Sequence, residues 1–378
     1  MKPQDLTEVI PNPLPLVQRL TLIEDPRIER HKVYPLENVI VFAFVSILSD
    51  QQSWYQIVDF CQANLEWFEE FIDVSSGVPS HDTFRRVFGL LRPEVLRKVL
   101  ADWASFLRKD CGSEIKLIAI DGKSVRGVPW RQSDEELHIL NAFEPHLGLC
   151  LAQVGVDSKT NEIGAMPDLL SSLNLKGALI TTDALLTQKS IAQQIRNQKG
   201  HYLLALKGNH PSFFEEAKLY FTEVHRGMFT WRTLEKNRGY VEERTCLVSG
   251  NTRGWETLEE WPDLRRVLLI RSKRTRDGKT TTEERYYITS IDLGAQDLLE
   301  SVRSHWGIEN KLHRTLDVLF LEDAAQEHDR TTAENLSALR KMAVSVLGNM
   351  DPAKSLVSKR KRAAYDANYR RKLLYGKI

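Results

Sequence analysis

Lys116-Leu-Ile-Ala-Ile-Asp-Gly-Lys123 is the stretch on which the fold turns. Its run of apolar, largely branched residues reads as a buried strand over Lys116–Ile120, with Asp-Gly as the turn that ends it. A carboxylate at the tip of a central strand stands on rigid backbone, at the rim where a sheet presents its chemistry. Asp before Gly is also an ordinary turn cap. Asp121 alone leaves both readings open; later elements add two more carboxylates in matching positions and favour the first.

The 378 residues are enough for two or three domains, and 42% hydrophobic with 27% charged residues is an ordinary globular composition. A net charge of +1 announces no nucleic-acid partner, so any such signal has to be local. Cys61, Cys111, Cys150 and Cys246 are scattered, with no Cys-x-x-Cys pair, and read as buried thiols of a reducing compartment rather than zinc ligands or disulfides. Met1-Lys-Pro-Gln-Asp5 lacks the apolar core of a signal peptide, and the longest apolar run, Val39–Leu48, is too short to span a bilayer. A cytoplasmic protein with no membrane partner is expected.

Residues 1–112 read as an all-helical domain behind an irregular, proline-broken lead-in over Ile10–Pro15. Leu36–Leu48 is apolar almost all round and should be its buried helix. Gly77-Val-Pro-Ser-His-Asp-Thr-Phe84 opens a second helix, with Ser80 as N-cap and Asp82 favourably placed in the first turn. Arg85 and Arg86 point away from its Phe84, Val87, Phe88 and Leu91 face. Such a helix either enters a DNA groove or is scaffold with solvated arginines.

From Lys116 the pattern turns to strands. Leu137–Phe143 and Gly148–Val156 form a hairpin, and a helix carrying Met166, Leu169, Leu170 and Leu173 follows. Ala178-Leu-Ile-Thr-Thr-Asp183 is a second apolar strand ending in Asp, then come a helix over Thr187–Gln198 and a strand over His201–Leu206. Strand–helix–strand of this length implies a parallel pair. Three antiparallel strands and then two crossovers is the order of an RNase H-like sheet. In that order the first strand is central and lies beside the fourth, so Asp121 and Asp183 become neighbours. Residues 113–217 would be the first part of this core. Residues 218–292 read as a β-rich insertion, with strands Phe229–Leu234, Tyr240–Val248, Arg266–Arg271 and Glu284–Thr289. Its Arg244, Arg253, Arg265, Arg266, Lys273, Arg274 and Arg276 suit a solvated surface as well as they suit DNA. Residues 293–350 would close the core, and 351–378 form a basic tail.

The helical stretch Asp297–Leu319 carries the third carboxylate. Leu298, Val302, His305, Glu309, Leu312 and Leu316 share one stripe, which sets Glu309 among mostly apolar neighbours. Such a glutamate is paired, with His305 or His313 as partner, held neutral, or bound to a cation. With Asp121 and Asp183 on one sheet edge the cation reading is favoured. Three carboxylates without clustered Cys or His call for a hard ion, Mg²⁺ or Mn²⁺.

Taken together these stretches resemble the DDE transposases of bacterial insertion sequences, of the ISAs type that includes H-repeat-associated proteins. The matching residues are Asp25-Pro-Arg27, Trp54, Gly77–Phe84, Ala119–Lys123, Lys159-Thr-Asn-Glu-Ile163, Leu175–Ala178, Thr182–Ala184, Gln188, Leu204–Asn209, His305–Asn310, Leu312-His313 and Leu316-Asp-Val318. The resemblance runs nearly end to end. It implies an α/β fold: an RNase H-like catalytic domain with a β-strand insertion, preceded by a helical associated domain. It also implies Asp121, Asp183 and Glu309 as the catalytic, metal-binding triad. The broader group usually has Tyr and Arg before the glutamate and Lys after it; those places here hold Val302, His305 and Leu316, and the His-Trp form is usual in the closer family. Arg238 and Tyr240 stand where close relatives tend to have His-Gly-Arg.

The activity so implied is cleavage and strand transfer at the element's terminal repeats, through two divalent ions that activate water and then a 3′-hydroxyl. The partners would be double-stranded DNA, both terminal inverted repeats and target, and a second copy of the chain in the DNA complex. Lys123, Lys207 and His305 are the candidates for the scissile phosphates, each also readable as an ordinary surface group; Trp306 is either core or a stacking partner for a base. The tail Ser358-Lys-Arg-Lys-Arg362 onward adds Lys359, Arg360, Lys361 and Arg362 as backbone contacts or as a solvated run. The competing functions are a DNA-binding protein that keeps the fold without cutting, and a structure-selective nuclease.

Overall fold

A computed structural model describes residues 19–375 apart from 21, 30–31, 109–115, 127–136, 157–161, 223–227, 238, 251–259, 326, 328 and 352. The expectations for Ile10–Pro15, Cys111, Lys159–Asn161, Arg238 and Arg253 lie outside the described residues. In chain order come α1 (Leu36–Leu48), α2 (Trp54–Ala63), α3 (Leu65–Glu69), α4 (His81–Leu90) and α5 (Pro93–Arg108). Strands β1 (Lys116–Val125), β2 (Leu137–Glu144) and β3 (Leu149–Val156) precede α6 (Glu162–Ser171), β4 (Ala178–Thr182), α7 (Lys189–Asn197), β5 (His201–Leu206) and α8 (Pro211–Thr222). Then follow β6 (Phe229–Asn237), β7 (Tyr240–Val248), β8 (Arg266–Arg276), β9 (Lys279–Thr289) and α9 (Ala295–His305). A π-helical turn (Ile308–His313) leads to α10 (Arg314–Val318), α11 (Arg330–Asn349), α12 (Leu356–Tyr365) and α13 (Ala367–Tyr375). No helix among the described residues is long and apolar enough to cross a membrane.

The chain divides into two compact units. One contains the sheet and spans Cys111–Val125 and Glu135–Arg314. Its nine strands run in the order β3-β2-β1-β4-β5-β9-β8-β7-β6. The β1–β2 and β2–β3 pairs are antiparallel and the β1–β4 and β4–β5 pairs parallel, so the first strand is central and beside the fourth, as expected. Leu117–Ile120 is buried throughout, because helices on both faces cover a central parallel strand. The strand does not stop at Asp-Gly. β4 accompanies β1 only as far as Ile120, but β2 pairs with it from Ala119 to Val125, and that non-local ladder overrides the turn tendency of Asp-Gly. Asp121 therefore sits within a strand.

Beyond β5 the expected β-rich segment is preceded by a helix, α8, whose Phe213, Ala217 and Phe221 are buried. Strands β6–β9 extend the same sheet, because β9 pairs antiparallel with β5. Several of their arginines are already engaged by acids: Arg244 with Glu242 at 2.6 Å and Glu235 at 3.1 Å, Arg266 with Asp292 at 2.8 Å.

The other unit spans Met1–Asp110, Arg126–Asp134 and Thr315–Ile378, so the span expected to close the sheet domain is shared between the two units. All of α1 except Glu37 is buried, and α11 is buried from Thr332 to Leu347. Ser80 caps α4, its Oγ accepting from Thr83 N at 3.3 Å, and Asn335 Nδ2 donates to the carbonyls of Phe88 and Leu91 at 2.8 Å each.

The basic tail is helical. Arg360 is 2% exposed, donates to Ile47 O from Nε (3.2 Å) and Nη2 (3.1 Å), reaches Leu319 O and lies 3.9 Å over the Phe320 ring. Lys359 donates to Leu347 O at 2.8 Å, and Arg370 to Ala363 O at 2.9 Å and Asn64 Oδ1 at 2.7 Å. Guanidinium and ammonium groups satisfy the orphan carbonyls at helix C-termini and complement the dipole there. Cys61, Cys150 and Cys246 are buried free thiols, and burial pushes Cys61 and Cys246 up to about 12.

Candidate active site

Ile120 opposite Thr182 is the last rung of the β1–β4 ladder. Asp121, still within β1, and Asp183, the first residue after β4, follow that rung, so parallel register makes them neighbours. The turn after β4 is held in place: Asp183 Oδ1 accepts from Leu186 N at 3.1 Å. The buried Thr187 Oγ1 lies within reach of the carbonyls of Asp183 (3.1 Å) and Ala205 (2.7 Å), tying this turn to β5.

Glu309 comes from the π-helical turn after α9. A π-turn carries an extra residue relative to an α-helix and shifts the side chains that follow. The stripe expected from α-helical spacing therefore breaks there: Ile308 and Leu312 are buried, whereas Glu309 is exposed. Asp121, Asp183 and Glu309 line one cavity of about 560 Å³, together with Lys207, His305 and His313.

Burial pushes the Asp121 carboxyl up to about 7, and the charges of Asp183, Glu309 and Glu162 add to the rise. His313 Nδ1 stands 3.7 Å from Asp121 Oδ2, too long for a hydrogen bond. His305 Nδ1 is 2.9 Å from Thr181 Oγ1, and burial pushes this imidazole down to about 4 against the pull of Asp183, so it is neutral at pH 7. Asn141 of β2 pairs with Asp121 in register; its Nδ2 donates to Ile139 O at 2.9 Å, while its buried Oδ1 has no hydrogen-bond partner among the described residues.

Among the described residues no three His, Cys, Asp or Glu side chains are gathered closely enough to hold one ion as they stand. The donor set nevertheless suits a hard cation: three carboxylates face one cavity, burial and the neighbouring acids together hold the Asp121 carboxyl high, and an amide oxygen beside it is unsatisfied among the described residues. A divalent cation would relieve each of these.

Residues 112–346 match the Transposase DDE domain model, and residues 17–104 match the DDE_Tnp_1-associated model. The chain belongs to the DDE transposase family. It is 33% identical to "Putative protein YbfL" of Escherichia coli K12 and 32% identical to "H repeat-associated putative transposase YhhI" of the same strain. Each comparison covers 96% of this chain and 98% of that protein. "Putative transposase YncI" of Escherichia coli O157:H7 is 33% identical over 94% of this chain and 93% of its own length. A slighter likeness, TM-score 0.41 at 12% identity over 96% of this chain and 80% of the other, is to the piggyBac transposase of a synaptic complex with hairpin DNA.

In this DDE transposase the expected phosphate contacts fall into two groups. Lys207 is exposed and His305 half-buried, both in the cavity wall, and Arg85 and Arg86 are exposed on α4, with Arg85 Nε 3.6 Å from Glu327. Lys361 is exposed; Arg362 Nε pairs with Asp366 at 3.0 Å. Lys123 is only 7% exposed, on the Asp121 face of β1, because continuation of the strand keeps it within the sheet; its Nζ donates to Ser124 O at 3.3 Å. Lys359 and Arg360 are buried caps, as described above. Trp306 is 38% exposed, with the Arg285 guanidinium 4.7 Å over its ring, so it is not a core residue. Sequence reasoning did not select Asn141 or the buried pair His138–Glu162. Asn141 sits in a strand buried along its whole length with nothing local to mark it, and Glu162 was visible only as part of a matching stretch.

Proposed function

We propose that this chain is the transposase of an insertion sequence: it binds the element's terminal inverted repeats and, with divalent metal, cleaves DNA and joins the 3′ ends to a target. The reading rests chiefly on Asp121 and Asp183 following the same parallel rung, with Glu309 lining the same cavity. The β3-β2-β1-β4-β5 order supports an RNase H-like core, with β6–β9 as its insertion and the α1–α5 region as the DNA-binding associated domain. A homodimer on DNA and a cytoplasmic location complete the proposal.

Asp121, Asp183 and Glu309 would hold Mg²⁺ or Mn²⁺, two ions in all. Such ions, when bound, activate the attacking water or 3′-hydroxyl and neutralise charge at the phosphate. The chain's own residues do the rest. The β1–β4 ladder fixes two carboxylates on rigid backbone, and the Thr187 contacts stop the turn after Asp183 from drifting. Neutral His305, oriented by Thr181, offers a hydrogen bond without a competing charge, while exposed Lys207 supplies positive charge to a phosphate in the cavity.

The test is incubation of the purified protein with the element's own ends and Mg²⁺, following release of 3′-hydroxyl ends and their joining. Asp121→Asn, Asp183→Asn and Glu309→Gln should each abolish cleavage while end binding survives. Cleavage at the wild-type rate by any of the three would overturn the assignment.

A further inference from the structure

Behind Asp121 lies a buried polar chain that the proposed chemistry does not use. His138 of β2 and Glu162, the first residue of α6, hydrogen-bond through Nε2 and Oε1 and are 3% and 2% exposed. His138 Nδ1 is 3.2 Å from Ser124 Oγ, and Ser124 and His138 are partners in the β1–β2 ladder. Ser124 is half-buried, but His138 and Glu162 behind it are closed off from solvent, so the pair has no access to a substrate.

Its place under β1 gives it a different role. Successive strand residues point to opposite faces, so Gly122 faces this chain while Asp121 faces the cavity. A Cβ on Gly122 would overlap His138 Nε2 and Glu162 Oε1 and come within 2.8 Å of Glu162 Cδ. The backbone directly after Asp121 thus rests on the pair, and only glycine permits that approach. A buried ionisable pair is a weak source of stability, since apolar residues of similar volume do as well. Its neighbours on α6, Met166, Leu169 and Leu170, are fully buried and apolar. Glu162 Oε1 lies under Gly122, one residue from Asp121, so its carboxylate stands directly behind the site.

We propose that Ser124, His138 and Glu162 are positioning residues for Asp121: they brace β1 at Gly122 and add a negative charge outside the coordination shell, raising affinity for a divalent cation in front. The proposal rests on the reading of Asp121 as a cation ligand. Supports of this kind typically change metal affinity 10–100-fold.

Calorimetric titration of Mn²⁺ into full-length protein tests it, alongside thermal melting in EDTA. Glu162→Gln keeps the shape and a hydrogen bond but removes the charge. It should weaken Mn²⁺ binding by about 10-fold or more while melting in EDTA within a few degrees of wild type. Glu162→Asp, which keeps the charge, should recover part of the affinity, and it carries the test if Glu162→Gln does not fold. Gly122→Ala should weaken Mn²⁺ binding and speed hydrogen exchange at Ile120–Lys123. Unchanged Mn²⁺ affinity in Glu162→Gln, or in a folded Gly122→Ala, would overturn the bracing role and leave the ligand reading intact. Failure of the wild type to bind Mn²⁺ would overturn both.

Discussion

Asp121 and Asp183 each stand one residue beyond the same parallel pair, Ile120 and Thr182, so two carboxylates distant in the chain are placed side by side by main-chain register. Side-chain packing has only to hold what the ladder has already set. The arrangement crowds like charge, and this makes the apo protein sensitive to pH and to cations.

The pH response has a defined sign. Asp121 titrates near 7 in the folded protein against 3.8 as its ordinary value. Between those values the folded state holds a proton that the unfolded state has lost. This group's stabilising contribution is therefore fully present below 3.8 and is lost as pH rises through about 7. In EDTA the loss should be on the order of 2–4 kcal/mol. Urea unfolding at several pH values should show it in wild type and not in Asp121→Asn.

Glu309 gives a contrasting expectation, because it is exposed. Glu309→Gln should change stability in EDTA by no more than about 0.5 kcal/mol. Its melting temperature should rise less on addition of Mn²⁺ than that of wild type, since a ligand that binds only the folded state stabilises it by mass action. Equal Mn²⁺ responses would remove Glu309 from the cation site.

Arg360 and Lys361 are adjacent yet should behave oppositely. Arg360→Ala leaves the buried carbonyl of Ile47 and the part-buried carbonyl of Leu319 without this donor and should destabilise the protein by about 2–5 kcal/mol. Lys would not restore both contacts, lacking the planar fork. Lys361→Ala should leave stability within about 0.5 kcal/mol. Chemical denaturation of the three variants measures this directly.

Exposed Arg85 and Arg86 should report on DNA binding alone. Their joint replacement by Ala should lower affinity for terminal-repeat DNA and reduce the salt slope of binding by roughly two. Anisotropy titrations across a salt series would show whether the slope changes; an unaltered slope would take α4 off the phosphates.

Much of this was legible in the chain. Leu36–Leu48 is apolar all round, and an all-round apolar helix has only one place to go. The strand–helix–strand order also placed Asp121 beside Asp183, since right-handed crossovers leave few alternatives. The errors share a cause, which is that remote backbone decided them. β2 carries β1 past Asp-Gly, and an extra residue in the turn after α9 brings Glu309 into the open. The tail read as a charge run because nothing near Lys359 or Arg360 reveals the carbonyls of Leu347 and Ile47 that they cap. His138 and Glu162 are ordinary residues until the fold sets Gly122 on top of them.

The caps have a consequence during synthesis. Ile47 receives its donor from a residue 313 positions later, and Asn64 from one 306 positions later. At roughly 5–20 residues per second, a ribosome takes about 15–60 s to travel from Ile47 to Arg360. Throughout that interval the whole of β1–β9 has time to emerge and pair, while the Ile47 carbonyl at the end of α1 waits for its cap and the Asn64 side chain after α2 for its partner. A nascent chain, or one cut short by a frameshift before α12, would carry every carboxylate of the cavity and still lack a closed helical unit. Closure of that unit thus waits for the residues of α12 and α13 that supply these donors.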